Sequence, residues 1–302
     1  MLRASLIAFL AFSMFLRADS LLPPMNVGIA QVELSTFTNG LVVNQVNQEM
    51  NGSPATLTAS QSISGGTFSG SMFGQAEFGV LKASSSSMLT GTTSPVNTLA
   101  AGSAFFNDVV TVEYAPLNGD LGLMQLSYNL NGTTTQSGSL ASVLNVYAFA
   151  CSDVNLISYA CNDPIGIAEN MNFQSATSGV FTFPDVFDFR FGQPFDLFFE
   201  LSAVNGTFTV QNIFNVGSLL GLSSYYTTLP GSTRADASNT LAISNISIFD
   251  SQMDPVAGYT VTTGSGTSYP FVGAVPEPST FSLLLLGAGL LMGRKVVSFF
   301  KT

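Results

Sequence analysis

Histidine is absent from this chain of 302 residues, and that absence removes whole classes of chemistry. No Ser-His-Asp or Cys-His nucleophilic system can be assembled, and zinc catalysis resting on imidazole ligands is excluded. Charge is also scarce: Asp, Glu, Lys and Arg together make up 9% of the residues. Between positions 21 and 276 only Lys82, Arg190 and Arg234 are basic, against sixteen acidic residues. Such a body repels phosphate backbones, so nucleic acid is not an expected partner. Helical periodicity is nearly absent too, which disfavours a helical bundle or a parallel βαβ protein.

Cysteine is limited to Cys151 and Cys161. With no histidine and no second cysteine pair, they cannot complete a tetrahedral zinc site of the usual kinds. In an exported chain they read most simply as one disulfide closing the short loop CSDVNLISYAC. The loop-entropy argument gives such a link roughly 2 to 3 kcal/mol.

What the chain does have is alternation at period two. Met124, Leu126, Tyr128 and Leu130 alternate with Gln125, Ser127 and Asn129, and Asn131-Gly132 then predicts a hairpin turn. Phe195, Leu197, Phe199 and Leu201 share one face of a strand, with Asp196 and Glu200 on an opposite, solvated face; Asn205-Gly206 predicts the next turn, into an alternation around Phe208 and Val210. The same pattern recurs at Val110, Val112 and Tyr114, at Phe187, Phe189 and Phe191, and at Tyr259 and Val261. Strands of this length broken by Gly, Pro and Asn predict an all-β fold, an antiparallel β-sandwich of jelly-roll type.

The stretch 65–103 is rich in small residues, with four serines at Ser84 to Ser87, yet it also holds Phe68, Met72, Phe73, Phe78, Val80 and Leu81. A solvated Gly/Ser linker does not need those, so the stretch is expected to supply strands of the same domain. The linker is placed instead at 264–273, where Gly and Ser crowd and charge vanishes. The body is therefore expected to occupy 21–263.

Candidate sites are few. Asp108, Glu113, Asp196 and Glu200 could serve as paired carboxylates in glycoside hydrolysis. Asn118-Gly119-Asp120 and Asp250 to Asp254 could offer oxygen ligands to calcium, but neither fits the D-x-[DN]-x-[DN]-G loop and both read first as turns. Four sequons, at Asn51, Asn131, Asn205 and Asn245, include three Asn-Gly pairs that read as hairpin signals. No metal or cofactor is implied, and the body is expected to be non-enzymatic.

Both ends look like addresses. Arg3 precedes an apolar stretch from Leu6 to Phe12, extended by Met14, Phe15 and Leu16, as in a secretory signal peptide over 1–20. Near the other end, Val275-Pro276-Glu277-Pro278-Ser279-Thr280 leads into 12 uncharged residues, Phe281 to Met292. As a helix these span about 18 Å, short of a hydrocarbon core of about 30 Å. Continuing past Arg294 and Lys295 to Phe300 brings the run to 20 residues. The basic end, with Lys301, predicts a cytoplasmic C-terminus and a transmembrane sorting helix before processing.

The Pro-Glu-Pro triplet, apolar run and basic pair over 274–302 closely resemble the PEP-CTERM sorting signal of exported Gram-negative bacterial proteins. The resemblance implies an exosortase-type processing enzyme as partner, in organisms that make extracellular polysaccharide. It assigns recognition to Pro276, Glu277 and Pro278 and the membrane stop to Arg294 and Lys295. The preceding chain also resembles ectodomains that often accompany the signal, through Phe191-Gly192-Gln193-Pro194-Phe195, Asn239-Thr240-Leu241 and Ser265-Gly266-Thr267-Ser268-Tyr269. The expectation is an exported cell-surface or extracellular-matrix protein with a structural or adhesive body. The alternatives are a carbohydrate-binding module of the polysaccharide matrix and, behind it, a carboxylate-pair glycosidase. Tyr225 and Tyr226 are the aromatic candidates for sugar contact.

Overall fold

The computed structural model describes residues 29–38, 41–49, 54–152, 154–155, 160–161, 168–174, 177–210, 222–224 and 226–274. The expected signal peptide and membrane segment lie outside the described residues. Among those described, no helix is long and apolar enough to cross a membrane.

Two antiparallel sheets make up nearly all of the body. The first runs, in spatial order, β11 (Ala168–Phe173), β8 (Ala141–Cys151), β14 (Pro194–Gly206), β6 (Thr98–Glu113), β1 (Ile29–Thr38) and β2 (Leu41–Glu49). β18 (Thr260–Thr263) also pairs with β6. The second runs β12 (Thr177–Thr182), β7 (Leu121–Gly138), β17 (Gly231–Asp250), β5 (Val80–Leu89), β4 (Gly66–Glu77) and β3 (Ala55–Ile63). It gains β13 (Phe187–Arg190) on β7 and β19 (Phe271–Val272), parallel to β17. Two short pairs stand apart: β9 (Val154–Asn155) with β10 (Ala160–Cys161), and β15 (Phe208–Val210) with β16 (Leu222–Ser224).

Alternation decides what meets between the sheets. Met124, Leu126, Tyr128 and Leu130 of β7 are fully buried, as are Leu197, Phe199 and Leu201 of β14. Tyr128 packs 5.8 Å from Phe199 across the interior, ring centre to ring centre, and 5.1 Å from Phe183. Side chains of this size contribute about 1.5 to 3 kcal/mol each on burial, so a continuous two-sheet core follows directly from the period. The small-residue stretch behaves as expected: Phe68, Met72 and Leu81 are buried in the same core.

Two predicted hairpin turns are not turns. Asn131-Gly132 lies inside β7, where Asn131 pairs with Ser178 on one side and Thr240 on the other. A Cβ on Gly132 would sit 2.4 Å from Leu144 Cδ1, so this glycine permits close approach of the other sheet. The partner strand β17 shifts register here, taking Asp236 opposite Thr133 and Thr240 opposite Asn131. Glycine inside a strand often marks such irregularity. The chain turns instead at Gly138, with φ of 69°. Asn205-Gly206 ends β14 while still paired with Ala100, Leu99, Ser142 and Ala141, and β15 pairs with β16 rather than back onto β14.

The expected linker at 264–273 is likewise corrected. Gly264 N donates to Val109 O over 2.7 Å, Ile246 N donates to Pro270 O over 3.0 Å, and Phe271–Val272 form β19 on the second sheet. The body therefore continues through to Ala274, which packs against the core.

Candidate functional site

What fastens this last segment is a buried carboxylate. Asp108 sits at the middle of β6 with its side chain on the core side, and it is 0% exposed. Its oxygens accept hydrogen bonds from Ser265 N at 2.9 Å, from Ser265 Oγ, and from Tyr269 Oη at 2.7 Å. Burying a carboxylate is tolerable only when such donors replace the water it loses. Gly266, with φ of 75°, turns the chain so that both donors reach the same group. The Tyr269 ring stacks 5.9 Å from Phe106, and burial together with the neighbouring Asp108 charge pushes its hydroxyl pKa far above the ordinary tyrosine value. Tyr259 ties down the same segment by donating from Oη to Val272 O; burial pushes its pKa up to about 12.

The three sequence motifs that resembled accompanying ectodomains thus have separate structural jobs. Ser265-Gly266-Thr267-Ser268-Tyr269 supplies the donors to Asp108. Phe191-Gly192-Gln193-Pro194-Phe195 makes the turn from β13 into β14, with Gly192 at φ of 72° donating its N–H to Val112 O. Asn239-Thr240-Leu241 lies where β17 shifts register against β5 and β7.

The other carboxylates do not assemble a site with Asp108. Asp196 accepts from Asn107 Nδ2 at 2.7 Å, and Glu200 accepts from Ser202 Oγ at 2.7 Å. Glu200 is only 8% exposed, so the expected solvated face of β14 is corrected. That face carries a small aromatic cluster of Phe105, Phe149 and Phe198, the last two stacked 4.8 Å apart. Glu113 is exposed at the end of β6. The two proposed calcium loops are turns: Asn118 Oδ1 accepts from Tyr114 N, and Asp250 Oδ1 accepts from the backbone of Gln252 and Asp254. No group of three or more His, Cys, Asp or Glu able to hold a metal is found among the described residues.

Cys151 is buried in that same aromatic cluster. The side chain of Cys161 lies outside the described residues, as do Pro276, Glu277, Pro278, Arg294, Lys295 and Tyr225. Tyr226 is 55% exposed.

One surface escaped the sequence reading. The outward face of β3, β4, β5, β17 and β7 carries three cross-strand rows set by the ladder register. They run Ser60, Ser69, Met88, Ser232, Ser137; then Thr58, Ser71, Ser86, Arg234, Thr135; then Thr56, Phe73, Ser84, Asp236, Thr133. The first two rows, Ser137 apart, line a shallow depression of ≈ 750 Å³. Among these fifteen positions two are charged, Arg234 and Asp236, and they pair with each other; Lys82 lies on the same face of β5 one row beyond Ser84, opposite Gln75. Burial alone would raise the Asp236 carboxyl, but hydrogen bonds from Ser238 and the Arg234 guanidinium hold it below the usual carboxylate range. The signal was present as Ser and Thr at every second position, in Thr56, Thr58, Ser60 and Ser62 for example, but only the register shows that five strands align them.

The architecture and the C-terminal clamp define an all-β body that runs at least as far as Ala274, two positions before Pro276. Residues 274–298 match the family model of the PEP-CTERM protein-sorting motif. This is the exosortase substrate signal, and it marks the chain as an exported protein sorted through its C-terminal region. No curated protein and no solved structure matches the chain.

Proposed function

We propose that this chain is a non-enzymatic structural or adhesive protein of the cell surface or extracellular matrix, with a jelly-roll-like body delivered by its sorting signal. The observation that carries this reading is the junction. Ala274 packs on the core and is also the first residue of the matched motif, so the folded body reaches the start of the signal, and processing after Pro278 would spare the Asp108 clamp. In this reading an exosortase-type enzyme recognises Pro276, Glu277 and Pro278. Phe281 to Met292 hold the chain in the membrane beforehand, and Arg294 and Lys295 stop its transfer. In this reading a disulfide between Cys151 and Cys161 closes the β9–β10 loop, whose two short strands pair Cys161 with Val154, three positions after Cys151.

Fractionation of cells carrying the wild-type chain beside a Glu277→Ala variant tests the sorting reading. The variant should accumulate unprocessed in the membrane fraction while the wild type leaves it. Identical processing and placement of the two would defeat the proposal.

The hydroxyl-rich face favours a second reading, a carbohydrate-binding body. The glycosidase reading has less support, because Asp108, Asp196 and Glu200 are already engaged by protein donors.

A further inference from the structure

We propose that the outward face of β3, β4, β5, β17 and β7 is a binding surface for an uncharged polysaccharide chain. The inference rests on the carbohydrate-binding reading and gives it a site and a ligand class; it does not depend on how the C-terminus is processed.

The argument begins with composition by position. Eleven of the fifteen side chains in the three rows are Ser or Thr hydroxyls, each able to donate one hydrogen bond and accept two. A neutral sugar polymer presents the same mixed donors and acceptors along its length, so either partner can satisfy the other without a fixed charge. Short hydroxyl side chains also lose less rotamer freedom on being held than lysine, arginine or glutamine would. Strands lie about 4.8 Å apart and same-face residues repeat about every 6.7 Å. Five strands and three rows therefore offer a patch about 19 Å wide and 13 Å deep, enough for several consecutive sugar rings.

Two apolar groups interrupt the hydroxyls. Met88 is 52% exposed in the first row, and Phe73 is half-buried in the third. A pyranose ring has a C–H face that packs on such groups while its hydroxyls reach the neighbouring serines. Charge selects among polymers. The Arg234 and Asp236 pair cancels locally, while the body as a whole is strongly acidic, so a polyanionic glycan would be repelled and a neutral one would not.

The test uses the full-length chain purified in detergent. Its retention is measured on insoluble cellulose and starch and on immobilised dextran as neutral probes, with alginate as the anionic one. Retention on at least one neutral polymer, little change between low and high salt, and little retention on alginate are expected. The double variant Ser71→Lys with Ser86→Glu places charges on two directly paired positions of the face. It should weaken neutral-polymer binding at least tenfold, while Ser71→Thr and the distant Glu113→Gln bind as wild type. Thermal unfolding of each variant shows that the fold persists. Failure to bind any of the three neutral polymers, equal binding to alginate, or undiminished binding by the folded double variant would overturn the proposal. Because each assay uses purified chain, a negative result here leaves the processing experiment untouched.

Discussion

Tyr269 Oη donates to Asp108 Oδ2 over 2.7 Å, joining residues 161 positions apart at a site with no solvent access to the carboxylate. This bond and the two from Ser265 make the segment before the sorting signal part of the core rather than a tether to it.

Removing one donor should be costly, because the charge remains buried. Tyr269→Phe keeps the ring stacked on Phe106 and deletes only the hydroxyl, and it should destabilise the body by about 1.5 to 3 kcal/mol. Urea unfolding will show a lower midpoint with an unchanged slope. Asp108→Ala should cost a similar amount, and combining it with Tyr269→Phe should cost less than the sum of the two, since both act on one contact.

Alkaline pH should unfold the protein through its tyrosines. The pKa values of Tyr128, Tyr259 and Tyr269 are all raised by burial above the ordinary 10.0. The folded state therefore holds protons that the unfolded state gives up, so stability is fully present below pH 10 and falls as pH rises through about 12, the Tyr259 value. A tyrosinate absorbance titration should show a cooperative rise at alkaline pH that coincides with loss of the circular dichroism signal.

Gly206→Ala should be among the most damaging single-methyl changes. Gly206 has φ of 156°, and an added Cβ would lie 2.1 Å from Thr98 O, a backbone atom on the paired strand. The expected loss is about 3 kcal/mol or more, read as a fall in melting temperature. The control Gly119→Ala meets nothing within 4 Å and pays only for its φ of 92°, so it should lose about 1 kcal/mol.

The cysteines should be linked and shielded. Mass spectrometry of the unreduced chain should find both thiols missing, and dithiothreitol should restore them only after denaturation, because Cys151 is buried with Phe105, Phe149 and Phe198. Two free thiols in the native chain would exclude the link.

Much of the fold was legible because burial imposes period two on every strand. Met124 to Leu130 and Phe195 to Leu201 point inward as their alternation requires. The misreadings share one cause: a local pattern was asked to reveal a distant partner. Asn-Gly reads as a turn whether its glycine bends the chain or, as at Gly132, makes room for Leu144 of another strand. The uncharged 264–273 stretch reads as a linker because its charge is Asp108, 157 positions before Ser265. Glu200 reads as solvated because the aromatic cluster around it comes from β6 and β8 as well as β14. The hydroxyl face was invisible for a related reason, since no single strand holds more than three of its fifteen positions.

The Asp108 clamp also sets a schedule for folding. A chain that emerges from its N-terminus first delivers the central strand β6 long before residues 265–269 exist to receive its carboxylate. Until they arrive, closing the two sheets would strand a charge without donors. Completion of the body and emergence of the sorting signal are thus nearly the same event, separated by the few residues between Tyr269 and Pro276. A chain broken off before Ser265 would carry neither a finished interior nor an address.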